Sequence, residues 1–435
     1  MSETAPLHSP PGFIDAESRA ARPGRGLPER IALIASVPST LRAFYQPLVN
    51  SLVAHQINLT VVASPGPELE ELARTGHIHA FPVPISRNIA PWRDLRSLFT
   101  LTRALRRGRF HLVHTHTPKA GMLGMIAAFL TRVPRRVHTL HGLPLETSRG
   151  LSRRILLWAD RLTCRLAHVV CVVSHSLYAR ALELRLAPPG KLTILGDGSA
   201  CGVDLNRFQR TPQVEQESAK IRQSFHIPPS ADVIGFVGWM VADKGVPALV
   251  EMFERVAQTR HNVHLLMIGP DTGPRDPLPA KAWRSIREHP RIHYPGLVND
   301  PVPYYAAMDV LVLPTRREGF PYALLEAAAM SVPVVATRVT GCVDAVMDGR
   351  TGFLVPLHDI PAMQKAVERL LNDKTLREHM GRAARSDVEQ RFDSRRLVAA
   401  HWDLYERLPN SGPVRWLMDD GTSNRWLSSS SPSES

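Results

Sequence analysis

The chain has little of what marks several protein classes. Only four cysteines occur in 435 residues and none has metal-site spacing, so a disulfide-stapled scaffold is excluded and we expect reduced thiols. No apolar run reaches the roughly 20 residues that span a bilayer. The first residues, MSETAPLHSPPGF, lack the basic and apolar segments of a secretory signal. We therefore expect a cytoplasmic location.

Positive charge is what the chain has in excess. Lysine and arginine number 53 against 40 aspartate and glutamate, for a formal net charge of +13. Such an excess suits nucleic acid, anionic lipid or phosphate-bearing substrates, and it does not choose among them. No nucleic-acid motif and no interleaved basic and aromatic stripe accompanies it, so we expect no nucleic-acid partner.

Two series of short branched-aliphatic runs, each followed by a longer amphipathic segment, predict βαβ units with parallel sheets. The first series predicts strands at residues 31–37, 59–64, 78–83, 111–116, 136–140, 169–173 and 192–195. The second predicts strands at residues 233–237, 264–268, 292–294, 310–314, 334–336 and 353–355. The pattern indicates an α/β protein with two Rossmann-like doubly wound domains facing across a cleft, where open α/β sheets bind ligands.

Composition suggests where these domains begin and end. Residues 1–28 and 409–435 are rich in proline, glycine and small polar residues, and we expect a disordered leader and a disordered tail. The remaining segments are an N-terminal domain, a polar linker, a C-terminal domain and a last helix that packs back toward the N-terminal domain. Their predicted bounds are residues 29–208, 209–230, 231–391 and 392–408.

The most informative segment is DVLVLPTRREGFPYALLEAAAM, at residues 309–330. Pro321 suits the first turn of a helix that begins just after Gly319. The unpaired N–H groups of a helix start favour phosphate, and Gly319 has no Cβ to keep a ligand from the backbone. Glu318 and Glu326 are spaced to hold two hydroxyl-rich parts of one ligand. The same spacing alone also fits a helix cap and a surface ion pair.

Together with other motifs in the same order, this segment closely resembles the donor-site signature of the family 4 glycosyltransferases. The other motifs, spread over about residues 30–408, are VHTHTPKAGMLG, HTLHGLP, ILGDGSACGVDLNRF, FVGWMVADKG and YPGLVNDPVPYYAAMDVLVLP. They are most similar to the branch that builds capsule, exopolysaccharide or protein-linked glycans on a polyprenyl-diphosphate carrier. The resemblance implies the two-domain GT-B fold.

The resemblance also implies an activity and its partners. It implies a retaining, metal-independent hexosyl- or N-acetylhexosaminyltransferase that needs no cofactor. The donor would be a nucleotide sugar, with UDP as the expected nucleotide, and the acceptor a polyprenyl-diphosphate-linked saccharide. Sugar transfer builds positive charge on the ring and negative charge on the departing diphosphate, and fixed cations and N–H groups stabilise the latter.

Residue roles follow from matching positions in the motifs. Lys244 would pair with the diphosphate, Glu318 would contact hydroxyls of the transferred sugar, and His141 would reach the sugar from the other domain. Glu326 would hold the ribose. The implied donor-binding residues are Gly238, Gly296, Leu297, Gly319, Phe320, Pro321 and Glu326. His116 and Lys119 are implied on the acceptor side of the cleft.

One position departs from the family pattern. Members commonly carry arginine immediately after the glycine that is Gly238 here, and this chain has Trp239. One charge-assisted contact is worth about 1.5–3 kcal/mol, so its loss weakens an enzyme without silencing it. Arg316 or Arg317 is a candidate for supplying the charge. Two alternatives stay open: an inactive or weakly active nucleotide-sugar-binding protein, and another GT-B enzyme such as a sugar-nucleotide epimerase.

Two predicted helices, at residues 95–109 and 151–167, carry five and four arginines. Basic amphipathic helices can lie on anionic lipid, at about 1 kcal/mol per cation near the surface. The alternative is that their apolar faces pack on the sheet and their arginines are solvated. Because the implied acceptor is lipid-linked, we expect peripheral attachment to the inner face of the cytoplasmic membrane as one outcome. The apolar segment at residues 120–130 is too short to span and is predicted to be a buried helix.

Overall fold

The computed structural model describes residues 28–74, 76–86, 90–271 and 276–408. Apart from residue 28, the predicted leader (residues 1–28) and the predicted tail (residues 409–435) lie outside these described residues.

The N-terminal domain is built on a parallel sheet with helices on both faces. Its strands, in the described residues, are β1 (Arg30–Ile34), β2 (Asn58–Ala63), β3 (Ile78–Pro82), β4 (Leu112–His116), β5 (Arg135–Leu140), β6 (Val169–Val172) and β7 (Leu192–Thr193). Its helices are α1 (Pro38–Ala54), α2 (Pro67–Arg74), α3 (Pro91–Gly108), α4 (Pro118–Leu130), α5 (Gly150–Leu166) and α6 (His175–Glu183). The strand order is β3-β2-β1-β4-β5-β6-β7.

The C-terminal domain repeats the design. Its strands are β8 (Asp232–Val237), β9 (Val263–Ile268), β10 (Ile292–Gly296), β11 (Val310–Leu313), β12 (Val334–Thr337) and β13 (Gly352–Val355), in the order β10-β9-β8-β11-β12-β13. Helix α7 (Pro212–Ser224) precedes this domain. The helices that follow are α8 (Val246–Thr259), α9 (Ala280–Glu288), α10 (Val302–Ala306), α11 (Tyr322–Ala329), α12 (Cys342–Ala345), α13 (Ile360–Asn372), α14 (Lys374–Arg391) and α15 (Ser394–Arg407).

The two-domain parallel α/β fold is confirmed, and each predicted strand overlaps one of these strands. Every residue of β4, β6, β9, β11 and β12 is buried. A strand covered by helices on both faces needs apolar residues on both sides, which is why the runs are continuous rather than alternating. In each sheet the order reverses at the first strand of the domain, between β1 and β4 and between β8 and β11. Ligands of doubly wound sheets bind at such points, beyond the carboxyl ends of the strands.

Two segments outside the sheets shape the cleft. The predicted linker contains α7, which starts with a local signal: the Thr211 side chain accepts from the Val214 N–H, and Pro212 opens the helix. Helix α15 packs on α1, where Trp402 Nε1 donates to Ser51 Oγ at 2.9 Å.

Candidate active site

Three neighbouring strands of the C-terminal sheet end at glycines. Gly238 follows β8, Gly269 follows β9, and Gly296 ends β10. Gly269 has φ +142°, and a Cβ there would lie 1.8 Å from the Gly238 carbonyl oxygen. A Cβ on Gly296 would meet nothing within 4 Å. The strand ends therefore form an open backbone surface, beside which the Leu297 side chain is 74% exposed.

Lys244 and Glu318 form an ion pair at the carboxyl ends of β8 and β11. Lys244 Nζ lies 2.5 Å from Glu318 Oε1, and the two side chains are only 27% and 10% exposed. The following residue, Gly245, has φ +75°, and a Cβ there would lie 1.9 Å from the Pro314 carbonyl oxygen. Only glycine lets this turn approach the end of β11, and that approach places the lysine next to the glutamate. A cation and a carboxylate so close can each turn to a ligand, the first to a phosphate and the second to hydroxyls.

Gly319 is where the two domains touch. A Cβ on Gly319 would lie 2.1 Å from the His141 carbonyl oxygen and 2.7 Å from the Gly142 nitrogen. From the N-terminal domain, Ser174 Oγ also donates to the Gly319 carbonyl at 2.8 Å. Behind it, a Cβ on Gly341 would lie 2.5 Å from the Gly319 carbonyl oxygen. Any side chain at residue 319 would push the domains apart.

The residues after Gly319 hold the start of α11 in place. Pro321 precedes the helix as its N-cap residue, one position earlier than the first-turn place that we predicted. The Phe320 ring is buried and lies 5.1 Å from the Phe392 ring. Tyr322 contacts the N-terminal domain, where its hydroxyl accepts from the Cys201 N–H at 2.8 Å. These anchors fix the backbone of Gly319 in the contact between the domains, where no Cβ would fit.

Glu326 lies on α11 and is partly buried. The Tyr305 hydroxyl donates to Glu326 Oε2 at 2.6 Å. Burial raises the pKa of Glu326 from 4.5 to about 7, and the hydrogen bond from Tyr305 only partly offsets that rise. The ionised carboxylate therefore has a cost here that further hydrogen-bond donors, such as sugar hydroxyls, would reduce.

The N-terminal wall of the cleft is made of neutral rings. His141 Nε2 lies 3.3 Å from His116 Nδ1 and 3.4 Å from the Tyr45 hydroxyl. Burial lowers the pKa of His141 to about 3, with help from the neighbouring imidazoles of His138 and His401. His141 is therefore uncharged at neutral pH. His116 is fully buried beneath it, and within the described residues its Nε2 has no hydrogen-bond partner.

Two of the other cations expected near the site, Lys119 and Arg317, are already engaged in ion pairs. Lys119 Nζ lies 2.6 Å from Asp94 Oδ1, with both side chains less than a fifth exposed. Arg317 contacts Asp243 Oδ2 at 2.8 Å and donates from Nε to Thr147 Oγ1 at 2.9 Å, across the cleft. Arg316 is exposed. The idea that one of these arginines replaces the charge missing at Trp239 stays a prediction.

A further contact between the domains was missed from sequence. The Ser176 N–H donates to Asp344 Oδ1 at 3.1 Å, and Ser176 Oγ makes a short hydrogen bond to Asp344 Oδ2. Gly341 N donates to Ser176 Oγ at 2.8 Å. The serine-rich helix start after β6 was a visible signal, but its partner lies 168 residues away. Gly269 and Tyr305 were also missed, although Gly269 directly follows a predicted strand.

In the part of the chain that the structure describes, no group of three or more His, Cys, Asp or Glu side chains is arranged to hold a metal ion. The four cysteines are buried free thiols. None of the helices in the described ranges combines the length and the apolar character that crossing a bilayer requires.

Two Rossmann-like domains joined at a glycine-lined cleft define the GT-B class, and solved structures agree. The structure of HepE from Anabaena in complex with UDP and glucose superposes with a TM-score of 0.73, at 19% identity, over 86% of this chain and 98% of that one. Residues 40–198 match the model of the glycosyl transferase 4-like domain, and residues 231–373 match that of glycosyl transferases group 1.

Sequence relatives give the same assignment. The capsular polysaccharide biosynthesis glycosyltransferase CapM of Staphylococcus aureus is 33% identical, over 82% of this chain and 90% of that protein. The UDP-Gal:alpha-D-GlcNAc-diphosphoundecaprenol alpha-1,3-galactosyltransferase of Escherichia coli is 28% identical, over 75% of this chain and 84% of that enzyme. The chain belongs to the family 4 glycosyltransferases.

Proposed function

We propose that this protein is a retaining glycosyltransferase that moves a hexosyl or N-acetylhexosaminyl group from a UDP-sugar to a polyprenyl-diphosphate-linked saccharide. The observation that carries the proposal is the position of the Lys244–Glu318 pair. It lies immediately beside Gly319, where the C-terminal domain meets the His141 loop of the N-terminal domain. A cation and a carboxylate of one domain thus lie next to the residue that the His141–Gly142 backbone of the other domain contacts.

The donor is proposed to lie along the carboxyl edge of the C-terminal sheet. The base lies against the backbone of Gly296 and Leu297, and Glu326 accepts from the ribose hydroxyls. The diphosphate lies between Lys244, the backbone near Gly238 and the N–H groups that open α11. The sugar then faces Glu318 and His141.

The proposed chemistry needs no protein nucleophile. The bond between the anomeric carbon and the β-phosphate oxygen breaks, and an acceptor hydroxyl forms the new bond on the same face of the sugar. The proton of that hydroxyl goes to the leaving diphosphate oxygen. Lys244 and the start of α11 stabilise the negative charge that builds on the diphosphate, which is why we propose transfer without a metal ion. Glu318 accepts hydrogen bonds from the sugar and is not the nucleophile.

The relatives support the acceptor class. The E. coli relative is named for a diphosphoundecaprenol-linked sugar as its acceptor, and CapM is named for capsular polysaccharide biosynthesis. On the N-terminal side we propose His116 and Lys119 as acceptor-side residues: His116 supports His141 from below, and Lys119 opens α4 at the cleft edge. We place the reaction in the cytoplasm, and the four free thiols support this.

A donor screen followed by a transfer assay tests the proposal. Nucleotide sugars carrying UDP, GDP or ADP are compared by thermal shift, and a donor at 100 times its dissociation constant should stabilise the protein by about 2.7 kcal/mol. The selected donor is then incubated with extracted polyprenyl-linked saccharide, and NMR of the product reports the anomeric configuration. We expect a UDP-sugar to bind and the configuration to be retained. Inversion, binding of no nucleotide sugar, or release of an epimerised free sugar would each contradict the proposal.

A further inference from the structure

Exposed apolar side chains are concentrated on two helices of the N-terminal domain. Of the thirteen large ones in the described residues, six lie on α3 and α5: Trp92, Leu95, Phe99, Leu151, Ile155 and Trp158. We call these six residues the tryptophan face. Trp92 is 85% exposed and Trp158 is 63% exposed. Single exposed apolar residues are ordinary, but this concentration marks an interaction surface.

Each helix presents these residues on one side. In α3 they are three and seven residues apart, and in α5 four and seven, which are the spacings of one helical face. The buried residues Ser97, Leu101 and Leu105 of α3 lie on the opposite side of that helix. Both helices therefore already have an apolar or small-residue side packed on the domain. The tryptophan face is a second apolar side, and no part of the chain within the described residues covers it.

The tryptophan face lies beside the mouth of the cleft. Helices α3 and α5 both pack against α4, so the three helices lie side by side on one face of the sheet. In a βαβ unit each helix starts near the carboxyl end of the preceding strand, which is the cleft edge. Trp92 and Leu95 lie in the first two turns of α3, and Leu151 and Ile155 lie in the first two turns of α5. Between them, Lys119 of α4 pairs with Asp94 of α3.

The charge on the same two helices is positive. Exposed arginines accompany the tryptophan face at positions 96, 103 and 106 of α3 and 154, 161 and 165 of α5. Each helix has one acidic residue, and neither opposes this charge at the surface. Asp94 is paired with Lys119, and Asp160 is buried. Exposed tryptophan with arginine alongside is the composition of helices that lie in the interface of an anionic bilayer.

We propose that the tryptophan face docks the protein on an anionic lipid surface, with Trp92 and Trp158 at headgroup depth and the cleft mouth beside the membrane. Attachment combines burial of the apolar side chains with attraction of the arginines to anionic headgroups. Only the biological role of this attachment rests on the proposed function: it would bring a lipid-linked acceptor to the cleft mouth. The attachment itself requires no acceptor and no turnover.

Vesicle sedimentation with the full chain, in the absence of any nucleotide sugar, tests this attachment. The vesicles are phosphatidylethanolamine with phosphatidylglycerol, and phosphatidylcholine vesicles serve as the neutral comparison. We expect binding to the anionic vesicles that weakens as salt screens the arginines, and little binding to the neutral ones. The double variant Trp92→Glu, Trp158→Glu should bind about tenfold less or weaker still. The control Leu130→Glu changes an exposed leucine at the far end of α4 and should bind like the unchanged chain.

Three results would overturn the proposal: no binding of the unchanged chain to anionic vesicles at low salt, equal binding to neutral vesicles, or undiminished binding of the double variant. Sedimentation velocity adds a fourth, because a dimer that the same double variant dissociates would identify the face as an interface between copies. Circular dichroism shows that the variant is folded. Vesicle binding without transferase activity would contradict only the proposed function, and transfer to extracted acceptor without vesicle binding would contradict only the docking.

Discussion

The two walls of the cleft use opposite electrostatics. On the N-terminal wall, His116 and His141 are held neutral by burial among aromatic rings. On the C-terminal wall, Lys244 and Glu318 are a charged pair. Because the rings of the N-terminal wall are uncharged, they do not compete for Lys244 or Glu318. In the proposed function, these two side chains can therefore change partners when a nucleotide sugar binds. The comparison teaches that the charged pair and the neutral buried rings are contributed by different domains.

The largest expected effect comes from separating the walls. Gly319→Ala places a Cβ 2.1 Å from the His141 carbonyl oxygen, so the cleft has to open. Because a misplacement of about 1 Å can cost about 100-fold in rate, we expect kcat/KM to fall by at least that factor. Steady-state kinetics measure it, and circular dichroism should show an intact fold. Gly66→Ala, where a Cβ would meet nothing within 4 Å, is the matched control. Normal activity in Gly319→Ala would show that the walls need not touch.

The next effect isolates the charged wall. Lys244→Ala removes the cation proposed to face the leaving diphosphate, and we expect kcat to fall by about 100-fold. Single-turnover kinetics with the selected nucleotide sugar measure the loss. Lys374→Ala, at a lysine that is 78% exposed, should change nothing. If Lys244→Ala lost only donor affinity and kept kcat, the lysine would hold the ground state rather than the transition state.

The neutral histidines predict a loss of folding stability at acidic pH. The pKa values of His138, His141 and His401 are lowered from 6.5 to about 4, 3 and 4, with burial as the main cause. Because the folded pKa values are depressed, the stabilisation is present above pH 6.5 and is lost as the pH falls through about 4. At roughly 1.4 kcal/mol per pKa unit, each group accounts for about 3 to 5 kcal/mol at most.

Calorimetry at a series of pH values tests this expectation. Removing one titrating group, as in His401→Leu, should make the unfolding temperature fall less steeply with acidification. His77→Gln, at an exposed histidine, should leave the slope unchanged. Equal slopes for all three proteins would mean that the wall is not held neutral.

A smaller effect concerns Glu326. With a pKa raised from 4.5 to about 7, its contribution to stability is full below pH 4.5 and is lost as the pH rises through 7. Glu326→Gln should therefore unfold at a higher temperature than the unchanged chain at pH about 8. At the same pH, Glu326→Gln should bind the nucleotide sugar about tenfold more weakly, because a carboxylate accepts stronger hydrogen bonds than an amide. Calorimetry and donor titration measure the two effects, with Glu378→Gln as an exposed control. Stronger donor binding by Glu326→Gln would rule out the ribose contact.

The smallest expected effect comes from a substitution that adds a positive charge to the C-terminal wall. Trp239→Arg restores the residue common in the family, next to Gly238. We expect donor affinity to rise by up to about tenfold, because one more charge-assisted contact to the diphosphate becomes available. Donor titration of the variant, beside Arg316→Ala and Arg317→Ala, measures it. A large recovery from an inactive starting protein would instead favour a decayed enzyme.

Local patterns predicted much of the fold and part of the site. Every predicted strand was found because branched-aliphatic runs bounded by turn residues carry their own signal. Helix α7 was overlooked because it lies in the polar segment predicted to be a linker, although Thr211 and Pro212 are typical of a helix start. The contact between Ser176 and Asp344 could not be predicted, because no local period connects residues of two different domains.

The sequence by itself determined the two sheets, the glycines at their edges and the family, since each depends on residues close together in the chain or on motifs in a fixed order. The tertiary structure alone decided that Lys244 meets Glu318, 74 residues later. It also decided that His116 of β4, His138 of β5 and His401 of α15 are buried near one another. It also decided which apolar side chains of α3 and α5 the other described residues leave exposed. Burial and charge pairing depend on which surfaces pack together, and that packing follows from the whole chain rather than from any segment of it.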